Sequence, residues 1–152
     1  MKKNDEYYMK LALREAQKAY SKAEVPIGAV IVRDEKVIAR AHNLKEKLQD
    51  PTAHAEILAI KEACSNLGSW RLTDSTLYVT IEPCPMCAGA LVQARVEQLV
   101  FGAADPKAGA VGSLLNLVDF ADFNHQLEFK SGVLEQECRQ VIKSFFADLR
   151  DK

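Results

Sequence analysis

This sequence lacks the features that mark membrane, fibrous and disordered proteins. No apolar run is long enough to cross a bilayer, and there is no internal repeat or low-complexity tract. Aromatic residues are few, at 7 %, and the formal net charge is only −1. This charge balance excludes a nucleic-acid-binding field spread over the whole surface, but it leaves room for a local basic patch.

A secretion signal is also missing, because Arg14 and Lys18 interrupt the first candidate apolar segment. We therefore expect a cytoplasmic protein with no membrane partner, in a compartment where thiols stay reduced. The closely spaced Cys84 and Cys87 are then expected to bind metal or carry out redox chemistry rather than to form a structural disulfide. The 152 residues, 48 % of them hydrophobic, predict a single domain over 1–152 with a substantial core.

Apolar spacing, capping residues and turns predict helices that alternate with strands along the chain. The predicted helices cover residues 5–19, 53–65, 85–94 and 134–149, with Thr52 capping the second and a short helical piece at 114–117. The predicted strands cover residues 27–33, 36–41, 76–81, 97–101 and 127–130. Such alternation is typical of an α/β fold whose sheet is covered on both faces. Because about twenty residues separate the last two strands, we expect that pair to run parallel.

Two short motifs carry most of the chemical information in the chain. His54-Ala55-Glu56 supplies an imidazole and a carboxylate, and Pro83-Cys84-Pro85-Met86-Cys87 supplies two thiols. Both motifs lie where a predicted helix begins, and the positive end of a helix favours thiolates over thiols. One histidine and two cysteines are three zinc-type ligands, the number that a catalytic site uses while leaving a fourth position for water. The spacing therefore indicates a hydrolytic zinc site.

Glu56 is the candidate catalytic residue, and we expect it to carry protons rather than to bind the metal. Two thiolates and Zn²⁺ form a formally neutral centre, which should acidify water less than a three-histidine site does. A nearby base is then needed: Glu56 would take a proton from water, protonate a ring nitrogen and deliver a proton to the leaving amine. Residues two apart in a helix point in nearly opposite directions, so His54 and Glu56 can share a pocket only at the end of the helix.

Two other interpretations of these motifs are open at this level. A Cys-x-x-Cys pair that follows a strand is also typical of thioredoxin-like redox proteins, but that function leaves His54 and Glu56 unexplained. A closed structural zinc site is the second, and its fourth ligand would come from His42, Cys64, His125 or Cys138. The two cysteines of that set are expected to be small core residues inside helices, and the two histidines are expected on loops or at the surface.

The order His-x-Glu followed by Pro-Cys-x-x-Cys is the signature of the zinc nucleobase deaminases. Beyond that signature, the sequence resembles bacterial tRNA-specific adenosine deaminases over residues 25–30, 50–57, 77–90 and 101–114. The zinc signature alone specifies the superfamily, whereas Asp105 and the glycine-rich residues 109–113 narrow the resemblance to this branch. Residues 44–49 depart from the family pattern, so the resemblance assigns no RNA contact to that loop.

The resemblance implies a cytidine-deaminase-like fold, a three-layer α/β/α sandwich with a five-stranded mixed sheet, that works as a homodimer. The implied reaction is hydrolysis of adenosine to inosine at the wobble position of a tRNA anticodon stem-loop, with tRNA-Arg as the expected substrate and DNA not expected as a natural one. One Zn²⁺ per subunit would be bound by His54, Cys84 and Cys87, and Glu56 would shuttle protons.

The same resemblance implies a set of substrate contacts. They come from Asn43, the backbone of Ala55, Val25, Ile27, Asp105 and Lys107. Asn43 would hydrogen-bond the extruded base, the backbone of Ala55 would meet its edge, and the two apolar side chains would pack against it. Asp105 and Lys107 would lie on a loop that touches the RNA.

The final predicted helix offers a test for RNA binding that does not depend on the resemblance. At about 100° per residue, an apolar stripe faces the core, formed by Leu134, Cys138, Val141, Ile142, Phe145 and Leu149. An adjoining flank gathers Arg139, Lys143, Phe146 and Arg150. A basic flank with an exposed aromatic ring suits phosphate neutralisation with a base stacked on the ring. A solvated charged face with Phe146 at the edge of the core fits the composition equally well, and the resemblance favours RNA.

Two rival functions stay open. Deamination of guanine or of a free nucleoside would use the same zinc chemistry. The long connection before the last strand speaks against a free-cytidine enzyme, whose last strands usually pair antiparallel, and the basic flank weighs against a guanine deaminase. The rival from another class is an RNA-binding module with a purely structural zinc, which would have no fourth metal position open to water.

Overall fold

The computed structural model describes residues 3–151, and a five-stranded sheet runs through the middle of this part of the chain. The strands are β1 (Gly28–Arg33), β2 (Lys36–His42), β3 (Ser75–Ile81), β4 (Gln98–Ala103) and β5 (Glu128–Lys130). Their order across the sheet is β2-β1-β3-β4-β5, with β1 antiparallel to both of its neighbours and β4 parallel to both of its own. The predicted mixed sheet, with its last two strands parallel, is therefore confirmed.

Helices cover both faces of this sheet, which confirms the three-layer α/β/α architecture. They are α1 (Asp5–Ser21), α2 (Lys45–Leu48), α3 (Ala55–Leu67), α4 (Pro85–Gln93) and α5 (Glu135–Arg150). Helices α1 and α5 pack on one face and α3 and α4 on the other, while α2 is a single turn between β2 and α3. Within residues 3–151, no helix combines the length and the apolar character needed to span a membrane.

The inner face of α3 is made of alanine, and this determines how close the helix lies to the sheet. Ala55, Ala59 and Ala63 recur every fourth residue and are fully buried in the core that α3 and α4 share with the strands. Because a methyl group occupies little space, the axis of α3 lies close to the strands. The first turn of α3 is thereby held against the end of the sheet where β3 finishes.

Two predictions about element boundaries are wrong. No helix forms at residues 114–117, where the chain makes turns and an isolated bridge joins Val111 to Asn116. The residue that precedes α3 is His54, and Thr52 does not cap the helix, because its amide and its hydroxyl both donate to Asp50. The single turn of α2 was not predicted at all.

Three predictions about burial are also wrong. Leu149, expected on the core stripe of the last helix, is 46 % exposed, and only Cys138 and Phe145 of that stripe are buried. His42, expected on a loop or at the surface, is the last residue of strand β2 and is buried, with its Nδ1 atom 2.9 Å from Glu15. Cys64, expected in the core, is only partly buried and packs at the margin of the core.

Candidate active site

His54, Cys84 and Cys87 lie together at the end of the sheet, just beyond the carboxyl end of β3. The Nδ1 atom of His54 is 3.6 Å from Sγ of Cys84 and 3.5 Å from Sγ of Cys87. The three ligand atoms lie within 4.8 Å of one another, and this group does not include Glu56. Two motifs that are separate in the sequence thus form one compact cluster.

Each half of the cluster is positioned by the start of a helix. His54 is the residue before α3 and has an extended backbone, with φ −78° and ψ 152°. Because His54 lies outside the helix, the helical rotation does not carry its ring away from Glu56, and the two side chains can face the same space. Cys84 holds the equivalent position before α4, where Pro85 is the first helical residue and its missing N–H leaves no bond unmade.

The spacing of the three atoms fits a tetrahedral zinc ion. Zn–S bonds of about 2.3 Å and a Zn–N bond of about 2.1 Å, at a tetrahedral angle, place sulfur and nitrogen about 3.6 Å apart. The two separations in the structure, 3.6 Å and 3.5 Å, agree with that value. Across residues 3–151 no further His, Cys, Asp or Glu joins the group, so three protein ligands would leave a fourth position for water.

Protonation of the site follows from burial and from contacts inside the cluster. The contact with Cys87, together with that with His54, lowers the pKa of Cys84 to about 4 despite burial, so this sulfur is a thiolate at neutral pH. The same contact and burial raise the pKa of Cys87. Glu56 is only 4 % exposed, and burial raises the pKa of its carboxyl group to about 7. A carboxyl group of this kind can both accept and donate a proton near neutrality.

Asn43, directly after β2, is connected to the first turn of α3. Its Oδ1 atom accepts a buried hydrogen bond of 2.8 Å from the backbone N–H of Ala55. Asn43 therefore supplies the side-chain cap that His54 does not provide, and it satisfies one of the unpaired donors of the first turn. Since Oδ1 is committed to Ala55, the amide N–H group of Asn43 is the part left to meet a ligand.

Two adjoining cavities are lined by most of the residues that we predicted to contact the base or the RNA. The larger, about 410 Å³, is lined by residues that include Val25, Ile27, Asp105, Lys107 and Phe146. The smaller, about 290 Å³, has Val25 and Phe146 in common with it and is also lined by Asn43. The bond from Ala55 to Asn43 places the smaller cavity beside the start of α3.

Two of the predicted RNA contacts lie outside these cavities. Lys143 and Arg150 are exposed on α5 and line neither of them. Arg139 on the same flank does line the larger cavity, and its guanidinium pairs with Glu135 at 3.1 Å. Lys143 and Arg150 are three and four residues from Phe146, so the three side chains share one face of the helix.

Glu82, which the motif analysis missed, organises the loop beside the larger cavity. It is 4 % exposed, and its carboxylate accepts hydrogen bonds of 2.9–3.1 Å from three backbone N–H groups, those of Asp105, Val111 and Ser113. Burial alone would raise the pKa of Glu82, but the hydroxyl of Ser113 and these N–H donors lower it. Glu82 thereby fixes the loop that carries Asp105 and Lys107.

Comparison with protein families and curated proteins agrees with this geometry. The family model of the MafB19-like deaminases matches residues 3–150. The tRNA-specific adenosine deaminase of Bacillus subtilis (strain 168) is 60 % identical over 148 residues, which cover 97 % of this chain and 92 % of that protein. The match therefore extends over both motifs and over all the elements that position them.

Solved structures lead to the same family. A structure from a study of A-to-I editing by tRNA:A34 deaminases at the wobble position of transfer RNA matches with a TM-score of 0.86 and 47 % identity, over 89 % of this chain and 98 % of that one. A guanine deaminase from Nitrosomonas europaea matches with a TM-score of 0.81 at 22 % identity, over 93 % of this chain and 84 % of that one, which is a likeness of fold alone. At these levels of identity and coverage, the chain belongs to the family of tRNA-specific adenosine deaminases.

Proposed function

We propose that this chain is a zinc-dependent hydrolase that converts adenosine to inosine at the wobble position of a tRNA anticodon, with tRNA-Arg as the expected substrate. The observation that carries the proposal is the cluster of His54, Cys84 and Cys87 next to a buried carboxyl group outside it, Glu56. A purely structural zinc site has four protein ligands and no use for a buried acid. The relative from Bacillus subtilis is named for the same substrate.

In this proposal His54, Cys84 and Cys87 hold one Zn²⁺, which when bound polarises a water molecule and makes it a stronger nucleophile. Glu56, with a pKa of about 7, accepts a proton from the water that attacks C6 of adenine and passes it to a ring nitrogen. Glu56 next takes the second proton, from the hydroxyl group now on C6, and delivers it to the amino group as the C6–N bond breaks and the C6 carbonyl forms. Water is added, ammonia leaves, and adenosine becomes inosine.

The proposed contacts to the base come from the end of β2, the start of α3 and the segment before β1. Asn43 donates its amide N–H group to an acceptor atom of adenine, because its oxygen is already bonded to Ala55. The small side chain of Ala55 lets the edge of the base approach the backbone. Val25 and Ile27 are half-buried and line the larger cavity, where they pack against the ring.

The proposed RNA contacts lie on α5 and on the loop after β4. Phe146 is 41 % exposed and lines both cavities, so its ring can stack on a base beside the extruded one. Lys107, Lys143 and Arg150 neutralise phosphates. Asp105 shapes the loop, since its Oδ1 atom accepts a 3.0 Å bond from the N–H of Lys107. In an anticodon loop the target base is already unpaired, so extruding it costs less than in a duplex.

A homodimer and a cytoplasmic location are part of the same proposal. Four large apolar side chains in the segment after β4 are 39–59 % exposed: Leu114, Leu115, Phe120 and Phe123. Exposed apolar side chains that lie close together mark surfaces for protein contact. A tRNA substrate and four free cysteines fit the reducing cytoplasm. Sedimentation equilibrium should give twice the mass of the chain, and a monomer at the assay concentration would contradict the dimer.

The test is to incubate the zinc-loaded protein with an unmodified tRNA-Arg transcript and to measure inosine by nucleoside mass analysis. The wild type should form inosine, whereas Glu56→Gln should bind as much zinc and lose activity by about 10²-fold or more, because general acid–base catalysis is removed. Loss of zinc in Glu56→Gln would make Glu56 a ligand instead. Free adenosine, cytidine and guanine are the control substrates, and deamination of one of them without inosine in tRNA would overturn the proposal.

A further inference from the structure

The loop between β2 and α3 brings a lysine to the edge of the smaller cavity. Residues 44–53 form this loop, and its ends are tied together by a 3.0 Å bond from the N–H of Leu44 to the carbonyl of Ala53. Lys45, the first residue of α2, is exposed and lines the smaller cavity together with Asn43 and Phe146. Among residues 3–151 no carboxylate forms an ion pair with Lys45.

The single turn that carries Lys45 is held by a buried carboxylate, Glu24. Glu24 is 1 % exposed, and its two oxygens accept bonds of 3.1 Å and 2.7 Å from the backbone N–H groups of Glu46 and Lys47. A helix of one turn is not stable by its own hydrogen bonds, and its first N–H groups have no partner within the helix. Glu24 supplies those partners, so the position of α2 depends on it.

Electrostatics indicates what Lys45 meets. The negative charge of Glu24 is buried against N–H donors, whereas the Lys45 ammonium faces solvent at the edge of the cavity. Arg139 and Lys107 line the larger cavity, and Lys45 is the cation on the lining of the smaller one, which meets it at Phe146. Carboxylates line both cavities as well: Glu24, whose oxygens are bonded to N–H groups, and Glu46 in the smaller, and Asp105 in the larger. In the proposed function the extruded base lies beside Asn43, which lines this cavity, so an unpaired cation at the edge of the cavity is positioned for a phosphate that flanks that base.

We propose that Lys45 binds a backbone phosphate of the substrate RNA next to the extruded base, and that Glu24 is the positioning residue that holds α2 for this contact. This inference rests on the proposed tRNA substrate. It assigns a binding function to the loop of residues 44–53, where the sequence resemblance assigned no RNA contact to residues 44–49.

The phosphate contact is tested by the salt dependence of binding to an unmodified tRNA-Arg transcript, measured in Glu56→Gln protein so that the tRNA is not consumed. Lys45→Ala should weaken binding and lower the slope of log Kd against log salt concentration by about 0.7, the share of one phosphate contact. Lys36→Ala is the matched control, because Lys36 is also exposed but lies at the opposite end of β2. A slope for Lys45→Ala equal to that of the control would overturn the contact.

The role of Glu24 is tested by a double-mutant cycle. Glu24→Gln replaces one acceptor oxygen by an NH₂ group, which can only donate, so one N–H of α2 loses its partner. Helix α2 should then move, and binding should weaken about as much as in Lys45→Ala. If Glu24 acts through Lys45, adding Lys45→Ala to Glu24→Gln should change binding little further. Full additivity of the two effects would overturn the positioning role.

The outcomes also distinguish this inference from the proposed function. If the wild-type protein formed no inosine in tRNA, the proposed function would be contradicted. Inosine formation by the wild type together with an unchanged salt slope in Lys45→Ala would remove the phosphate contact alone. Because Lys45→Ala is a surface substitution, this arm remains informative even where Glu24→Gln fails to fold.

Discussion

At the scale of single residues, Asn43 connects the fold to the proposed recognition of the base through the oxygen and the nitrogen of its side-chain amide. Its oxygen caps α3 at Ala55, the residue between His54 and Glu56, so the amide helps to position both. Its nitrogen is the group that we propose to donate a hydrogen bond to the base. The substitutions Asn43→Asp and Asn43→Ala separate these two roles.

Asn43→Asp keeps an oxygen for Ala55 and adds negative charge at a helix N-terminus, so thermal stability and zinc content should stay near those of the wild type. A carboxylate cannot donate, so kcat/KM for tRNA should fall about 5- to 150-fold, which corresponds to about 1–3 kcal/mol for one unmet hydrogen bond. Asn43→Ala should lose the same activity and also about 1 kcal/mol of stability. Wild-type kcat/KM in Asn43→Asp would mean that the amide does not contact the base.

Residue type and spacing predict the group of His54, Cys84 and Cys87, because one imidazole and two thiols in two short motifs have few uses other than binding a metal. The functions of Glu24 and Glu82 cannot be predicted in this way, because their partners are backbone N–H groups of distant segments. Every residue other than proline has such an N–H group, so residue type does not identify the partners. One signal was available for Glu82: it is an acidic residue directly after the buried strand β3, where a charge needs partners.

At the scale of elements, α5 presents one surface to the core, and we propose that its adjoining surface binds the substrate. Phe145 is buried, whereas Phe146 lines both cavities. The two rings meet at 77° with centroids 5.4 Å apart, an edge-to-face contact that fixes Phe146 without covering its outer face. The ring and the neighbouring cations should therefore contribute to RNA binding by different physical effects.

Lys143→Ala and Arg150→Ala should each lower the slope of log Kd against log salt by about 0.7, again in Glu56→Gln protein. Phe146→Ala should leave that slope unchanged and weaken binding about 5- to 150-fold, which corresponds to about 1–3 kcal/mol of stacking on one base. Unchanged slopes in both lysine and arginine variants, as in the Lys36→Ala control, would make the flank a solvated face without a role in binding.

Elements with a sustained period are predictable to within a few residues, and the exceptions depend on distant partners. The leucines of residues 114–117 give a helical pattern, but Gly112 has φ 125° and the chain turns there, which leaves Leu114 and Leu115 exposed. Thr52 is satisfied locally by Asp50, so the cap of α3 comes from Asn43, twelve residues earlier. Helix α2 depends in the same way on Glu24. In both cases the partner is distant in the sequence, so the residues next to the helix do not indicate the bond.

At the scale of the whole molecule, a buried polar network joins α1 to the strand that ends at the site. Glu15 of α1 is 4 % exposed and accepts bonds of 2.9 Å from His42 and 2.6 Å from Lys18. The Nζ atom of Lys22 lies 3.0 Å from the other ring nitrogen of His42. His42 is the last residue of β2 and precedes Asn43, so this network anchors the site to the helix layer on the opposite face of the sheet.

The charge of Glu15 makes this anchor sensitive to acid. Burial alone would raise the pKa of Glu15, but the hydrogen bonds from Lys18 and His42 outweigh it and hold the pKa below its ordinary value of 4.5. A carboxylate with a lowered pKa in the folded state stabilises the protein fully above the pKa of the unfolded chain. That contribution disappears as the pH falls through the lower, folded-state pKa.

Glu15→Gln should therefore lower the free energy of unfolding by about 1.5–3 kcal/mol at pH 7, the usual effect of losing a hydrogen bond to a charged group. The difference in the free energy of unfolding from the wild type should shrink as the pH is lowered from 4.5 into the range of the lowered pKa.

Urea denaturation from pH 7 to about pH 3 measures this difference. The control is Glu6→Gln, which removes an exposed carboxylate of the same helix. Both variants keep the metal ligands, so release of zinc by acid affects them equally. A difference that stays constant down to the lowest pH would mean that the side chain of Glu15 acts by packing and that its ionisation does not support the site.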